Sequence, residues 1–226
     1  MMTGIYDLAA LQKTVEGVGA VICAYHAHPK AVVEGQLLLI GAGEHAGGKL
    51  GGGHQVFHAA SWNYDWKRNR LGDHETCDCY ISFCNDARTS STIKPIYGFT
   101  GTIPEWELVR LNRPKMIDAA SRSTSATGTK ALFWTSADDL AAYTIEAVSE
   151  PGAADGGFYR VQSFRASPLE MVEAYEQGRG PRLERQSLGS LSEIEDMLVQ
   201  ARASTPLSGH HEDIGLTYAK YKMNGI

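Results

Sequence analysis

The reading of the fold turns on the stretch Ile96-Tyr97-Gly98-Phe99-Thr100-Gly101-Thr102, which runs on through Glu105-Trp106-Glu107-Leu108-Val109-Arg110-Leu111 to Arg122-Ser123-Thr124-Ser125. Beyond it lie Ala131-Leu132-Phe133-Trp134-Thr135, the segment Asp138 to Val148, and Gly157-Phe158-Tyr159-Arg160-Val161-Gln162, ending at Phe164. Short aromatic and β-branched runs bounded by Gly read as strands. Helical spacing of apolar residues makes 138–148 a helix. The order is strand, loop, strand, helix, strand, with a polar and aromatic seam. The fold class expected from it is α+β: a mixed, largely antiparallel β core with flanking helices.

At these residues the chain resembles the ADP-ribosyltransferase-like fold, of the rifampin ADP-ribosyltransferase type. Ile96-Tyr97-Gly98-Phe99-Thr100 stands for that family's first motif and Leu132-Phe133-Trp134-Thr135 for its aromatic-Thr strand. Leu140-Ala141-Ala142-Tyr143 stands for its helix and Phe158-Tyr159-Arg160-Val161 for its last strand. Gly98 occupies the position where the family carries a His. The resemblance implies that NAD lies in a cleft lined by Tyr97, Thr100, Ser123 and Trp134, with Tyr97 and Trp134 stacked on the nicotinamide. Arg122-Ser123-Thr124-Ser125 is similar to the Ser-Thr-Ser strand of such enzymes, and Glu173 and Glu176 are the carboxylates available to stabilise an oxocarbenium-like ribose. Glu176 is the one taken as catalytic, beside Tyr97. The implied activity is toxin- or effector-like transfer of ADP-ribose to a protein or small-molecule acceptor, or hydrolysis of NAD. A non-catalytic binding or immunity-type module accounts for Gly98 as well.

Composition narrows the field further. A chain of 226 residues with 43% hydrophobic residues can bury a full core. One domain over 1–226 is expected, with Asn85 to Thr92 the candidate internal boundary. The net charge of −5 argues against a nucleic-acid partner, which needs clustered Lys and Arg. No apolar run reaches the ~20 residues of a transmembrane helix, and Met1 to Asp7 lacks the basic start of a signal peptide. The expected setting is therefore cytoplasmic, or exported without a signal peptide, with no membrane partner. Cys23, Cys77, Cys79 and Cys84 are too few for a disulfide scaffold.

Along the rest of the chain, Leu8, Leu11 and Val15 recur at helical spacing behind the cap residue Asp7. Val18 to Tyr25 and Gln36 to Ile40 read as buried strands. The glycines between Gly41 and Gly53 read as a loop. Gly41-x-Gly43-x-x-Ala46 has the form of a dinucleotide fingerprint, but Gly47, Gly48 and Gly51 to Gly53 oppose the helix that must follow it. The alternation of Cys77, Cys79, Ile81 and Phe83 predicts a half-buried strand. Trp62 to Arg70 is aromatic and basic and has no clear place. Ser167-Pro168-Leu169-Glu170 and Ser190-Leu191-Ser192-Glu193 predict capping boxes that start two helices.

A second chemistry is written in the histidines. His26 and His28 share a strand face, and His54 and His58 would share a helical turn. With His45, His74 and Cys77-x-Cys79 they offer donors for zinc, and hence for a zinc-dependent hydrolase. Cys84 offers a thiol nucleophile if a base lies beside it.

Overall fold

The computed structural model describes residues 6–25, 30–49, 55–111, 123–124, 129–179, 186–187, 189–204, 216–218 and 220. Its elements in chain order are α1 (Leu8–Val15), β1 (Ala20–Ile22), α2 (Gln36–Lys49), β2 (Val56–His58), α3 (Glu75–Ser90), β3 (Ile96–Phe99), α4 (Pro104–Leu111) and β4 (Ser123–Thr124). They continue with β5 (Leu132–Trp134), α5 (Ala137–Ser149), β6 (Gly157–Arg160), β7 (Phe164–Ala166), α6 (Pro168–Arg179), β8 (Gln186–Ser187) and α7 (Leu191–Ser204). The chain forms two compact units, one of 1–99 with 141–161 and the other of 100–140 with 162–226.

The first unit is built on a parallel sheet in the order β1-β2-β3-β6. The register pairs Ala20 with Val56, His58 with Ile96, and Ile96 to Phe99 with Gly157 to Arg160. The expected antiparallel core is thus corrected. All four strands run the same way, and the helix-bearing connections between them provide the long crossovers that parallel neighbours need. The only antiparallel pair among the described residues, β5 with β7, lies in the second unit, where β4 pairs in parallel with β8.

Strand alternation gives the sheet two different faces. Phe57, Tyr97, Phe99 and Phe158 point one way, and there Phe83 of α3 and Trp66 close an aromatic core. Phe57 and Phe83 lie 6.4 Å apart, Tyr97 and Phe158 4.9 Å, and Trp66 and Phe99 5.5 Å between ring centroids. His58, Gly98 and Tyr159 point the other way, toward Thr144 of α5.

Several expected strands are helices. Gln36 to Ile40 opens α2, and the helix continues through Gly41, Gly43, Gly47 and Gly48 instead of a loop. A Cβ at Gly43 would lie 2.1 Å from Gln55 Oε1, so the glycine permits a close approach to the chain entering β2. Cys77 to Phe83 lies inside α3, and Asn85 to Thr92 is that helix's C-terminal end and exit turn. Asp7 caps α1 as expected, its carboxylate accepting from Ala10 N at 3.0 Å. Both capping boxes form: Ser167 Oγ accepts from Glu170 N, Ser190 Oγ accepts from Glu193 N, and each Glu accepts from its Ser backbone N–H.

Glu44 of α2 anchors the turn after α3. Its Oε1 accepts from Ser91 Oγ, from Thr92 N and Oγ1, and from Ile93 N. Burial alone would raise this carboxyl's pKa, but the hydrogen bonds from Thr92, Ser91 and Ile93 outweigh it and hold it below the usual value. Glu44→Ala should destabilise the protein by about 1–3 kcal/mol, because several donors lose one acceptor together. Urea denaturation at neutral pH checks this, and an unchanged midpoint would show that water replaces the carboxylate without cost. No helix among the described residues is long and apolar enough to cross a membrane.

Candidate functional site

Residues at the carboxyl ends of parallel strands are where sheets of this kind present chemistry. His58 closes β2 and is fully buried. Its Nε2 is 2.7 Å from the Tyr159 hydroxyl, and its ring stacks on Trp62 at 4.7 Å with 17° between planes. Trp62 Nε1 donates to Thr144 Oγ1 at 3.1 Å, and that oxygen stands 3.4 Å from the Tyr159 hydroxyl. Gly98 gives the cluster its room. A Cβ there would sit 2.7 Å from Tyr159 Oη and 3.3 Å from Trp62 Cδ1. Ser61 fixes the backbone beside it, accepting from Gly98 N at 2.9 Å and donating to Ala59 O at 3.2 Å. Gln36 ties the start of α2 to the same edge, accepting from Ala60 N at 2.8 Å.

The cluster holds no charged side chain. Burial lowers His58 to about 4, partly offset by backbone groups at Ala59 and His58, so the imidazole is neutral at physiological pH. Burial likewise raises the Tyr159 phenol, against the lowering by Thr144 and Trp62, so it keeps its proton. A neutral imidazole holding a protonated phenol can present or accept one proton at Tyr159 Oη. It cannot act as a nucleophile.

The site residues expected from sequence fall in other surroundings. Tyr97 lies in the first unit, packed among Trp66, Phe83 and Phe158, with burial raising its pKa first and Cys84 adding to the rise. Thr100, Ser123, Trp134 and Glu176 belong to the second unit. There Thr100 O accepts from Thr135 Oγ1 at 2.6 Å, while Trp134 Nε1 donates to Ala166 O at 2.8 Å. Ser123 is a residue of β4, and Glu176 is half-buried on α6. Arg122 and Ser125 lie outside the described residues.

The zinc reading is corrected as well. His26, His28 and His54 lie outside the described residues, while His58 is engaged by Tyr159 and Trp62. Among the described residues no group of three or more His, Cys, Asp or Glu could hold a metal ion. Cys23 and Cys79 are pushed up to about 11 by burial, which leaves them protonated and poor nucleophiles. Gly41-x-Gly43-x-x-Ala46 sits inside α2, so it is neither the expected loop nor a strand-to-helix phosphate loop. In the sequence His58 reads only as a metal ligand and Tyr159 only as part of a strand. The available signal was that both end or occupy strands flanking a glycine.

No family model and no curated protein matches the sequence. Solved structures do match. The chain is similar to leucoanthocyanidin reductase from Vitis vinifera in its binary complex with NADPH, with a TM-score of 0.73 at 12% identity over 100% of this chain and 72% of that one. Isoflavone reductase gives 0.70 at 16% identity over 99% and 69%. The NADPH-dependent quinone oxidoreductase from Escherichia coli gives 0.64 at 17% identity over 99% and 71%. The fold is that of these reductases. It overturns the resemblance to ADP-ribosyltransferases, together with the transferase, toxin or effector, zinc-hydrolase and immunity-module readings. The physical reason is the parallel sheet, in which Gly98 is no vacated His position but the space that Tyr159 crosses.

Proposed function

We propose that this chain is a nicotinamide-nucleotide-dependent reductase of a small uncharged substrate, with Tyr159 as its proton donor and His58 as the residue that positions it. The observation carrying the reading is the Tyr159–His58 pair on a parallel sheet whose fold is similar, over nearly the whole chain, to reductases described as NADPH-dependent or solved with NADPH. The residues present fit one end of such a cofactor. Tyr25 follows β1 and Trp62 follows β2, so aromatic side chains stand at the carboxyl edge where a nicotinamide would rest. Two described helix starts do not fit its pyrophosphate. Glu105 and Glu107 lie in the first turn of α4, and Asp138 and Asp139 in that of α5, where negative charge repels a phosphate.

A bound reduced nicotinamide supplies a hydride. Tyr159 holds the matching proton at Oη, in hydrogen-bond reach of His58 Nε2, and Thr144 and Trp62 fix the polar surroundings of that oxygen. When Tyr159 gives up its proton the negative charge passes to its phenolate oxygen, where His58, neutral at physiological pH, can meet it as an Nε2–H donor in that tautomer.

The test is a fluorescence titration with NADPH and NADH, followed by turnover with a panel of quinones and enones. Saturable enhancement of nicotinamide emission is expected. Tyr159→Phe should then keep binding and lower kcat by about 10²–10⁴-fold, the usual contribution of a positioned general acid. Neither emission change nor thermal stabilisation at millimolar nucleotide would remove the reading.

A further inference from the structure

The basic and aromatic segment that follows β2 forms a second cluster, built on the aromatic face of the sheet away from His58. Asp65 is mostly buried, with its side chain 12% exposed, and its Oδ2 contacts both Arg160 Nη2 and, at 3.5 Å, Arg68 Nε. The two guanidinium side chains remain 63% and 68% exposed. Lys67 Nζ stands 4.0 Å over the Phe158 ring, and Arg160 Cζ stands 5.2 Å over Phe99. Those two rings lie 5.6 Å apart with 12° between planes, and Phe158 is 40% exposed. Two arginines therefore share one carboxylate, and a third cation, Lys67, stands over the neighbouring Phe158 ring, in a chain whose net charge is −5.

An ion pair that merely fastened this segment to β6 would need one arginine. Here two share a single oxygen, which leaves most of their N–H donors facing solvent and holds two like charges side by side. Within the same five residues, the buried Trp66 Nε1 and Asn69 Nδ2 donors and the buried Asp65 Oδ1 acceptor have no partner. The solvent-facing guanidinium donors and the surplus positive charge call for an oxyanion, and paired guanidinium groups suit the geometry of a phosphate. Phe158, 40% exposed, adds an aromatic surface for a planar group.

We infer that Lys67, Arg68 and Arg160, set by Asp65 beside Phe158, form a binding site for a phosphate monoester carried on a planar ring. Such a group could belong to a phosphorylated aromatic substrate or to a nucleotide. The site stands independently of the reductase reading.

Calorimetric titration of the full chain with phenyl phosphate, inorganic phosphate and adenosine 2′,5′-bisphosphate tests it. Phenyl phosphate should bind about tenfold or more tightly than inorganic phosphate, since one ring contact of about 1.4 kcal/mol gives that ratio. Arg68→Gln and Arg160→Gln should each weaken phenyl phosphate binding about tenfold or more, with circular dichroism unchanged, because a charge-assisted hydrogen bond is lost. Lys67→Gln, which removes no ion pair with Asp65, should also weaken it. Preference for phenyl phosphate assigns the site to a substrate, and preference for the bisphosphate assigns it to a nucleotide. Absence of saturable phenyl phosphate binding overturns the site, and so does binding that all three variants leave unchanged. NADPH emission enhancement retained in Arg160→Gln, or absent from the native chain while phenyl phosphate still binds, separates this site from the reductase reading.

Discussion

Unfolding at pH 4.5 should show the protein about 2.5 kcal/mol less stable than at pH 7, with His58 responsible for that loss. The ordinary imidazole value is 6.5, which the unfolded chain recovers, and the folded value is about 4. The unfolded state therefore binds the extra proton first as pH falls. The stability linked to neutral His58 is complete above 6.5, declines between 6.5 and 4, and is lost below 4. Its cause is desolvation: protonation would place a charge under Trp62 and beside Tyr159 with no carboxylate to meet it. Glu44, Glu170 and Glu193 have lowered values, so their linked losses begin only below the ordinary 4.5. Urea denaturation at half-unit steps from pH 7 to 4.5 reads the imidazole window, which the buried His74 shares, so the assignment to His58 rests on the variant. His58→Gln, which cannot titrate, should flatten the slope in that window even if it lowers the plateau. An equally steep slope in the variant would place the responsible group elsewhere.

Gly98→Ala should cost about 1–3 kcal/mol, the range for forcing a methyl into a filled core. For a chain of this size each kcal/mol lowers Tm by about 2–4 °C. The new methyl would meet Tyr159 Oη at 2.7 Å and Cζ at 2.8 Å. The ring cannot swing away without breaking its bond to His58 and entering the space of Thr144. The same substitution in a Tyr159→Ala background should cost much less, because the obstacle is gone. That coupling is the diagnostic quantity. Strictly additive losses would mean that glycine at 98 serves backbone geometry and not the tyrosine.

The parts of the fold legible in sequence were those fixed by neighbours in the chain. Asp7 before α1, and the Ser-x-x-Glu pairs at 167–170 and 190–193, satisfy helix ends within four residues, so the pattern contains its own cause. β1, β3, β5 and β6 were legible because short aromatic or branched runs were bounded by turns. The failures came from windows that were too short or from glycines with distant causes. Cys77, Cys79, Ile81 and Phe83 alternate over seven residues, yet the buried set Thr76, Cys77, Cys79, Tyr80, Phe83 and Ala87 follows the helical period. Gly43 argues locally against helix yet lies inside α2, where Gln55 occupies the place of a Cβ, a contact no local pattern contains. Strand direction was misread for a similar reason. Parallel pairing needs crossovers, and reading Cys77 to Phe83 as a strand removes the crossover helix α3.

The candidate site was less legible than the fold. His58 and Tyr159 stand 101 residues apart and meet only through the register of β2, β3 and β6. The resemblance drew attention to Tyr97 and Gly98, and Gly98 was indeed informative. It marks the place that another side chain crosses.

The path of the chain through its first unit bears on how the protein is made. Residues 1–99 emerge together, but β6, which completes their sheet, follows only after residues 100–140 have begun the other unit. At about 5–20 residues per second the wait on the ribosome lasts several seconds. During it β3 has an open hydrogen-bonding edge and lacks the ring of Phe158 that will stack on Tyr97 and Phe99. Nascent chains should need shielding there, and cutting the gene after Phe99 should yield an aggregating fragment instead of a half-protein.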